Sequence, residues 1–214
     1  MAALVLAAGA LWEFWLPSYR PSLRPGEVYG VDVSNYQGRI DWQQVARDQV
    51  SFAYIKATEG ARFVDAAFSA NWSGATKAGV AHGAYHFFTL CASGEQQAGN
   101  FLRTVPRDPS AMPAAIDLEL AGNCSLRPTD VAVRAQVTRF LDLVEQATGH
   151  PVVVYLGADF ARTYALDLGP RRLRWVRHLV TRPPDGTWLI WQVSDIAQVT
   201  GISTRVDLDV QTAP

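Results

Sequence analysis

The chain has 214 residues, with 19 Lys and Arg against 20 Asp and Glu, so its formal net charge at pH 7 is −1. This length suits a single domain with a substantial hydrophobic core. The balanced charge gives no sign of a nucleic-acid or anionic-lipid partner, so neither is expected. Seven Trp and seven Tyr residues suit flat ligands such as sugar rings, although most are expected to lie in the core.

The first part of the chain, residues 1–16, is apolar apart from one Glu, and a Pro- and Arg-rich stretch follows it. An apolar run of this length is typical of a signal-peptide core or a short membrane anchor. No basic residue precedes the run, whereas Arg20 and Arg24 follow it, which counts against simple export. We predict a targeting segment at 1–16, signal or anchor, a linker at 17–28 and a folded domain at 29–214. The expected location is extracellular or at the cell surface.

Predicted strands and helices alternate through most of the folded part. Each helix is recognised by an apolar stripe of helical period and by capping residues at its ends. The clearest helix opens at Thr129 and closes at Gly149, with an apolar stripe formed by Val133, Val137, Phe140, Leu141 and Val144. The predicted strands are 29–34, 52–57, 80–88, 114–120 and 152–156, and the predicted helices are 40–46, 65–79, 94–105 and 128–149.

After residue 156 the alternation weakens. Short strands are predicted at 175–176, 188–193 and 206–210, with no long helix between the last two. Repeated β-α units that end in a helix-poor stretch predict an α/β fold. The expected architecture is an irregular TIM-like β/α barrel that lacks the last helices.

The predicted strand 114–120 carries two carboxylates one residue apart. In a strand, Asp117 and Glu119 share one face, with Cα atoms about 7 Å apart, while Ile116 and Leu118 take the other face. Close like charges and burial raise a carboxyl pKa, so one acid can remain a proton donor near neutral pH beside an ionised partner. The pair therefore indicates acid-base chemistry.

Further polar side chains fall where predicted strands end, and in a parallel β/α barrel these ends and the following loops build the site. Carboxylates together with tyrosines and tryptophans suit an acidic groove for a neutral or acetamido sugar. In such a groove a protonated acid delivers its proton to the glycosidic oxygen. The residues at strand ends are Asp32, Glu59, Tyr85, Asp117, Glu119, Tyr155 and Gln192.

Six motifs carry a resemblance to a known family. They are GVDVS (30–34) with QG (37–38), YIKATEG (54–60), GAYHF (83–87), DLE (117–119), WQ (191–192) and VDL (206–208). In this order they resemble the glycoside hydrolase family 25 muramidases, the Chalaropsis-type lysozymes, from about residue 29 to residue 210. The resemblance implies hydrolysis of the β-1,4 bond between N-acetylmuramic acid and N-acetylglucosamine in bacterial cell-wall peptidoglycan, without a cofactor or metal.

The resemblance also implies roles for individual residues. Glu119 corresponds to the general acid, and Asp117 to the acid that orients the 2-acetamido group of the substrate. Asp32 and Asp207 resemble the flanking carboxylates of the catalytic set. Substrate assistance by the acetamido group is favoured, while retention and inversion both remain open. The expected substrate-binding residues are Glu59, Tyr85, Tyr155, Trp191 and Gln192.

The two cysteines, Cys91 and Cys124, each follow the end of a predicted strand. We therefore favour a disulfide at one rim of the barrel, formed in an oxidising compartment, over two unpaired thiols.

Other chemistries are less favoured. His82 and His86 are four residues apart, but strand propensity between them favours structural histidines over a zinc pair. The four proposed catalytic acids are oxygen ligands that suit Mg²⁺ or Ca²⁺, but a bound cation would expel the proton of a catalytic acid. Lys56 is favoured as a charge partner of Glu59 or another carboxylate over a catalytic amine. Asp209 shares a face with Asp207 in a regular strand, so these two acids can exchange roles.

Two function classes remain. The first is a secreted or membrane-anchored muramidase, acting as a monomer. The second is a catalytically weak cell-wall carbohydrate-binding protein on the same barrel. An intact set of acids favours the enzyme, because a binding protein gains nothing from a protonated buried Glu.

Overall fold

A computed structural model describes residues 13, 15–169, 172–184 and 188–212. Within these residues nine strands form a single sheet. The strands are β1 (Glu27–Val33), β2 (Val50–Glu59), β3 (Phe63–Val64), β4 (Ala81–Phe87), β5 (Ala115–Leu118), β6 (Val153–Leu156), β7 (Arg174–Arg177), β8 (Ile190–Ala197) and β9 (Val206–Thr212). The helices of six or more residues are α1 (Trp42–Arg47), α2 (Phe68–Ala78), α3 (Gly94–Thr104), α4 (Asp130–Thr148) and α5 (Ala158–Thr163); two three-residue helical turns lie at Leu16–Ser18 and Asn35–Gln37.

The sheet closes into a barrel, because β1 pairs with both β2 and β9. Neighbouring strands are parallel from β1 through β2 and β4 to β8, whereas β9 is antiparallel to both β8 and β1. The short strand β3 pairs with the end of β2, outside the barrel proper. The irregular β/α barrel is therefore confirmed. The reversed direction of β9 was not predicted.

Side chains alternate between the barrel interior and the helix layer, as the period of a strand requires. In β5, Ala115 points into the barrel, while Ile116 and Leu118 are buried in the core between sheet and helices. The apolar interior cluster closes one end of the barrel. Its buried members are Phe52, Tyr54, Ala115, Val153, Tyr155, Trp175 and Ile190.

Phe52 fills the closed end because Gly30 makes room for it. A Cβ atom on Gly30 would lie 2.2 Å from a ring carbon of Phe52, so no larger residue fits there without a shift. Beside this contact, the Tyr54 hydroxyl donates to the carbonyl of Pro113 at 3.0 Å. The loop before β5 thus covers the end of the barrel that holds the strands' amino termini.

The predicted helix at 128–149 is confirmed as α4, with Thr129 as its N-cap and Gly149 in the left-handed conformation at its C-cap. Its predicted apolar stripe is buried. The helix crosses α3 closely, since a Cβ atom on Gly94 would lie 1.9 Å from the carbonyl oxygen of Gln136.

The histidines are structural, as predicted. His86 lies on the outer face of β4, where its ring nitrogens bond Thr58 Oγ1 at 2.7 Å and Gln97 Oε1 at 3.0 Å. Burial lowers the pKa of His86 to about 4, so the ring is neutral at pH 7. The ring of His82 bonds the Val80 carbonyl at 2.8 Å.

The predicted disulfide is confirmed: Cys91 and Cys124 are bonded, with Cα atoms 6.1 Å apart. Cys91 follows β4 and Cys124 follows β5. The bond therefore joins two loops at the carboxyl ends of neighbouring strands.

Most of the predicted targeting segment lies outside the described residues. The stretch predicted as a linker packs on the barrel: the Gln198 amide donates to the Pro17 carbonyl at 2.8 Å, and Arg20 pairs with Asp48 at 2.7 Å. Strand β1 already begins at Glu27. In the part of the chain that is described, no helix is both long enough and apolar enough to span a membrane.

Candidate active site

The carboxyl ends of the parallel strands open into a groove with a volume of about 370 Å³. The structure brings together here every catalytic and substrate-binding residue predicted from the sequence except Trp191. The predicted residues that line the groove are Asp32, Glu59, Tyr85, Asp117, Glu119, Tyr155, Gln192 and Asp207. Residues from seven different strands and the loops that follow them therefore converge on one concave surface.

Asp117 and Glu119 face this groove, as the alternation of β5 predicts, while Leu118 between them is fully buried behind the strand. Burial raises the pKa of Asp117 well above its ordinary value; the charge of Glu119 adds to this effect and Lys56 opposes it. Burial also raises the pKa of Glu119, against a hydrogen bond from Tyr155. The pair therefore holds protons at a higher pH than exposed carboxyls do.

Tyr155 links the acid pair to the opposite wall of the groove. Its hydroxyl donates to Gln192 Oε1 at 3.1 Å. Burial, together with the charges of nearby acids, raises the pKa of Tyr155, so its hydroxyl stays protonated and can donate. Gln192 in turn hydrogen-bonds the Asp207 carboxyl. These neutral groups fix the orientations of Glu119 and Asp207.

Asp32 and Asp207 lie side by side because β9 runs antiparallel to β1 and pairs these two residues. Asp207 is the second residue of β9, so the reversed strand direction places it at the same rim as the carboxyl ends of the other strands. Burial, followed by the charge of Asp195, raises the pKa of Asp207 to about 6. Burial and the charge of Asp207 raise the pKa of Asp32 further.

Lys56 brings a positive charge to the groove wall. Its Nζ lies 2.7 Å from Glu59 Oε2, which confirms the predicted charge partnership. The same ammonium lies 4.9 Å from the ring centre of Phe87, a cation–π contact. Among the described residues, no cluster of three or more His, Cys, Asp and Glu side chains is arranged to hold a metal ion.

The prediction that Trp191 binds substrate is wrong. Its side chain is 0% exposed, and its Nε1 donates to the His178 carbonyl at 2.7 Å in the layer outside the barrel. Because Gln192 faces the groove, the two-residue period of β8 turns Trp191 to the opposite face.

Two further residues of the site, Tyr36 and Trp175, were not predicted, and Asp209 was predicted only as an acid that could exchange roles with Asp207. Tyr36, 80% exposed, stands at the rim of the groove on a 3-10 turn fixed by reciprocal hydrogen bonds between Ser34 and Gln37. Trp175 lines the groove floor, and Asp209 lies buried beneath it. The shared face of Asp207 and Asp209 was the sequence signal for the buried acid. An aromatic residue in the turn after β1 was the signal for Tyr36.

The arrangement supports proton transfer to a bound sugar. A partly buried carboxyl with a raised pKa, Glu119, has a proton to donate, and the second carboxyl of the pair stands beside it. The groove is open to solvent at one side and lined by polar groups and aromatic rings, as in carbohydrate sites.

Comparisons with known proteins agree with this geometry. The sequence profile of Glycosyl hydrolases family 25 matches residues 31–202. Uncharacterized protein YegX of Escherichia coli is 40% identical over 191 residues, covering 86% of this chain and 69% of the relative. Lysozyme M1 of Streptomyces globisporus is 36% identical over 194 residues, covering 84% and 66%.

The fold is also shared with solved structures. A family 25 glycosyl hydrolase from Bacillus anthracis superposes with a TM-score of 0.82 at 33% identity, covering 92% of this chain and 94% of the other. Sequence and fold thus point to one family along nearly the whole domain, and the protein is a glycoside hydrolase. The chain belongs to glycosyl hydrolase family 25.

Proposed function

We propose that the protein is a peptidoglycan muramidase that hydrolyses the β-1,4 bond between N-acetylmuramic acid and N-acetylglucosamine. The observation that carries the proposal is the pairing of Asp117 with Glu119, both with raised pKa, in a groove open to a polymer. Similarity to a lysozyme supports cell-wall glycan as the substrate.

In the first step, Glu119 protonates the glycosidic oxygen while the bond from that oxygen to the anomeric carbon breaks. The raised pKa keeps the proton on Glu119 near neutral pH until the leaving oxygen takes it. The Tyr155 hydroxyl, which donates to Gln192 in the free groove, then turns to donate to the carboxylate that remains, because a hydrogen bond to an ionised acceptor is strong.

In the same step, the carbonyl oxygen of the substrate's 2-acetamido group attacks the anomeric carbon and forms a cyclic intermediate. The two acids share one proton in this step. With the proton on Glu119, the Asp117 carboxylate accepts a hydrogen bond from the amide N–H as this ring closes, which makes the carbonyl a better nucleophile. Water then adds to the anomeric carbon and reopens the ring, giving its proton to Glu119 and restoring the acid. This substrate-assisted route predicts retention at the anomeric carbon.

The remaining groove residues bind and orient the glycan. The hydrogen-bonded pair of Asp32 and Asp207 supplies negative charge beside the carbon that becomes positive in the transition state. Tyr85, Gln192 and Glu59 offer hydrogen bonds to the sugar hydroxyl and acetamido groups.

We further propose that the protein works outside the cell or at its surface, as a monomer, with residues 1–16 as signal or membrane anchor. The Cys91–Cys124 disulfide supports an oxidising location, where such bonds form and persist.

The test is digestion of purified peptidoglycan by the full chain, followed by borohydride reduction and mass spectrometry of the new ends. Reduced N-acetylmuramic acid ends are expected. Reduced N-acetylglucosamine ends would assign the cut to the other glycosidic bond. Wall binding without new ends of either kind would replace the muramidase with a carbohydrate-binding protein.

A further inference from the structure

Asp209 is a carboxyl group that the proposed reaction does not use. Its side chain is 0% exposed and points into the barrel below the groove. Its Oδ1 accepts a hydrogen bond from Trp175 Nε1 at 3.0 Å, while its Oδ2 is buried without a donor. Such an orphaned oxygen is costly if the carboxyl is ionised, because a buried charge needs compensation.

A second buried carboxyl oxygen without a donor belongs to Asp32, which is close to Asp209. Asp32 Oδ2 is also buried without a donor, and the Asp32 carboxyl lies within hydrogen-bonding reach of both Asp207 and Asp209. Carboxylate oxygens only accept, so two carboxyl groups in contact hydrogen-bond when one of them keeps its proton. Two protons shared over three acids would satisfy both orphaned oxygens.

No positive charge offers another solution in the described part of the chain, where Asp32, Asp207 and Asp209 form no ion pair with Lys, Arg or His. The groups that face this cluster from the surrounding strands are neutral or acidic. They are Tyr54 of β2, Tyr85 of β4, Asp117 of β5, Glu119 after β5, Trp175 of β7, and Gln192 and Asp195 of β8.

We propose that Asp209 is a positioning residue whose proton completes a hydrogen-bond chain from Trp175 through Asp209 and Asp32 to Asp207. The Trp175 N–H donates to Asp209 Oδ1, the Asp209 hydroxyl donates to Asp32, and the Asp32 hydroxyl donates to the Asp207 carboxylate. The role of this chain in catalysis rests on the proposed function, since it orients the two carboxyls that flank the reacting sugar.

This hydrogen-bond chain places the negative charge of the three acids on Asp207, which lines the groove. Asp207 is the member with the smallest rise in pKa, because hydrogen bonds from Asp32 and Gln192 favour its ionised form. Burial, followed by the charge of Asp207, raises the pKa of Asp209 well above the ordinary value, against the hydrogen bonds of its carboxyl with Trp175 and Asp32. Burial and the neighbouring acids raise the pKa of Asp32 in the same way. Hydrogen bonds aligned in one direction polarise one another, so the proton on Asp209 strengthens the hold on Asp207.

The protonation state of Asp209 is measured first, by infrared spectroscopy of the full chain at pH 7 without any substrate. The difference spectrum between wild type and Asp209→Asn is expected to show the loss of one protonated carboxyl band. Loss of carboxylate bands instead would mean that Asp209 is ionised, and would overturn the proposal whatever bond the enzyme cuts.

The positioning role is tested by kinetics on peptidoglycan fragments. Asp209→Asn keeps an acceptor for Trp175 and a donor for Asp32, so kcat should stay within about 3-fold of wild type. Asp209→Leu interrupts the hydrogen-bond chain, so kcat should fall by about 10- to 100-fold with KM unchanged. A loss of this size corresponds to one lost hydrogen bond to a charged group. Equal kcat values for the two variants would overturn the role.

Trp175→Phe tests the same hydrogen-bond chain if Asp209→Leu does not fold. This variant retains an aromatic ring and removes the first N–H of the chain, so kcat should fall by about 3- to 10-fold. It should also shift the protonated carboxyl band assigned to Asp209. An unchanged band would show that Trp175 does not bond this acid, contrary to the proposal.

Discussion

The two ends of the barrel interior are built by the same strands from opposite kinds of side chain. In β2, Phe52 packs at the closed end, whereas Lys56 lines the groove; in β8, Ile190 and Gln192 divide in the same way. A few residues along a strand, at about 3.3 Å each, separate a packed apolar plug from a set of ionisable groups. The barrel thus keeps its packing at one end and its chemistry at the other.

The two ends also contribute to stability with opposite signs. Apolar burial at the closed end favours folding, whereas each groove acid with a raised pKa favours the folded state only at low pH. Its contribution is complete below the unfolded pKa, near 4, and is lost as pH rises through the folded pKa, which is about 6 for Asp207. At neutral pH, apolar burial at the closed end therefore compensates for the unfavourable contribution that the buried groove acids make to the free energy of folding.

Asp117→Asn, a change at the groove end, should lower kcat much more than a matched change at the closed end. The amide keeps the shape of the carboxyl but carries no negative charge to stabilise the acetamido group as it attacks, so kcat should fall by about 10²- to 10³-fold. The matched control is Asp108→Asn in the loop before β5, at the closed end, which should leave kcat unchanged. Comparable losses in both variants, measured on soluble glycan fragments, would remove the special role of Asp117.

Phe52→Ala should do the reverse, weakening the fold through the closed end. Phe52 is 2% exposed, so its truncation leaves a cavity and should lower the free energy of unfolding by about 3–5 kcal/mol. Phe63→Ala is the control, because Phe63 is 47% exposed and should cost less than about 1 kcal/mol. Urea denaturation measures both. Equal costs would mean that the apolar plug does not support the barrel.

His86 extends the comparison to the outer face of the sheet, where a buried base should respond to pH in the opposite sense to the groove acids. Its pKa falls from 6.5 to about 4 on folding, so its contribution is present above pH 6.5 and is lost as pH falls toward 4. The total change corresponds to roughly 3 kcal/mol of unfolding free energy. Denaturation of wild type and His86→Gln across this range measures it, and parallel curves would contradict the assignment.

Tyr36→Ala should give the smallest effect and leave the fold unchanged. Its ring is exposed at the groove rim and offers a face to a sugar ring, so its loss should raise KM by about 2- to 10-fold with little change in kcat. Val131→Ala on α4 is the control, since Val131 is equally solvent-exposed but lies on a helix. A KM unaffected by the loss of Tyr36 would exclude it from sugar binding.

Alternation along a strand explains which parts of the site the sequence predicted. In the predicted strand 114–120 the two acids share one face while Ile116 and Leu118 take the other, so the placement of Asp117 and Glu119 followed directly from the two-residue period. The run around Trp191 is apolar on both faces, and alternation alone does not say which face points inward. The helices were predictable for a similar reason, since the stripe of α4 and its caps are local features.

The remaining features depend on pairing between distant strands. Asp32 meets Asp207 only because β9 is antiparallel, and the short link between β8 and β9 was the one local sign of that reversal. The buried position of Asp209 follows from the register opposite Gly30. Packing of the stretch 17–28 on the barrel depends on contacts with residues that are far away in sequence, such as Asp48 and Gln198.

The central claim is that Glu119 donates the proton that breaks the glycosidic bond. The most direct measurement is the rate at which full-length wild type, Glu119→Gln and Glu95→Gln release reducing ends from purified peptidoglycan. Glu95 lies exposed on α3, paired with Arg139, so its variant controls for the substitution itself. We predict a loss of about 10²- to 10⁴-fold for Glu119→Gln alone, with wall binding and melting temperature retained. A rate for Glu119→Gln within a few-fold of wild type would contradict the assignment of the acid.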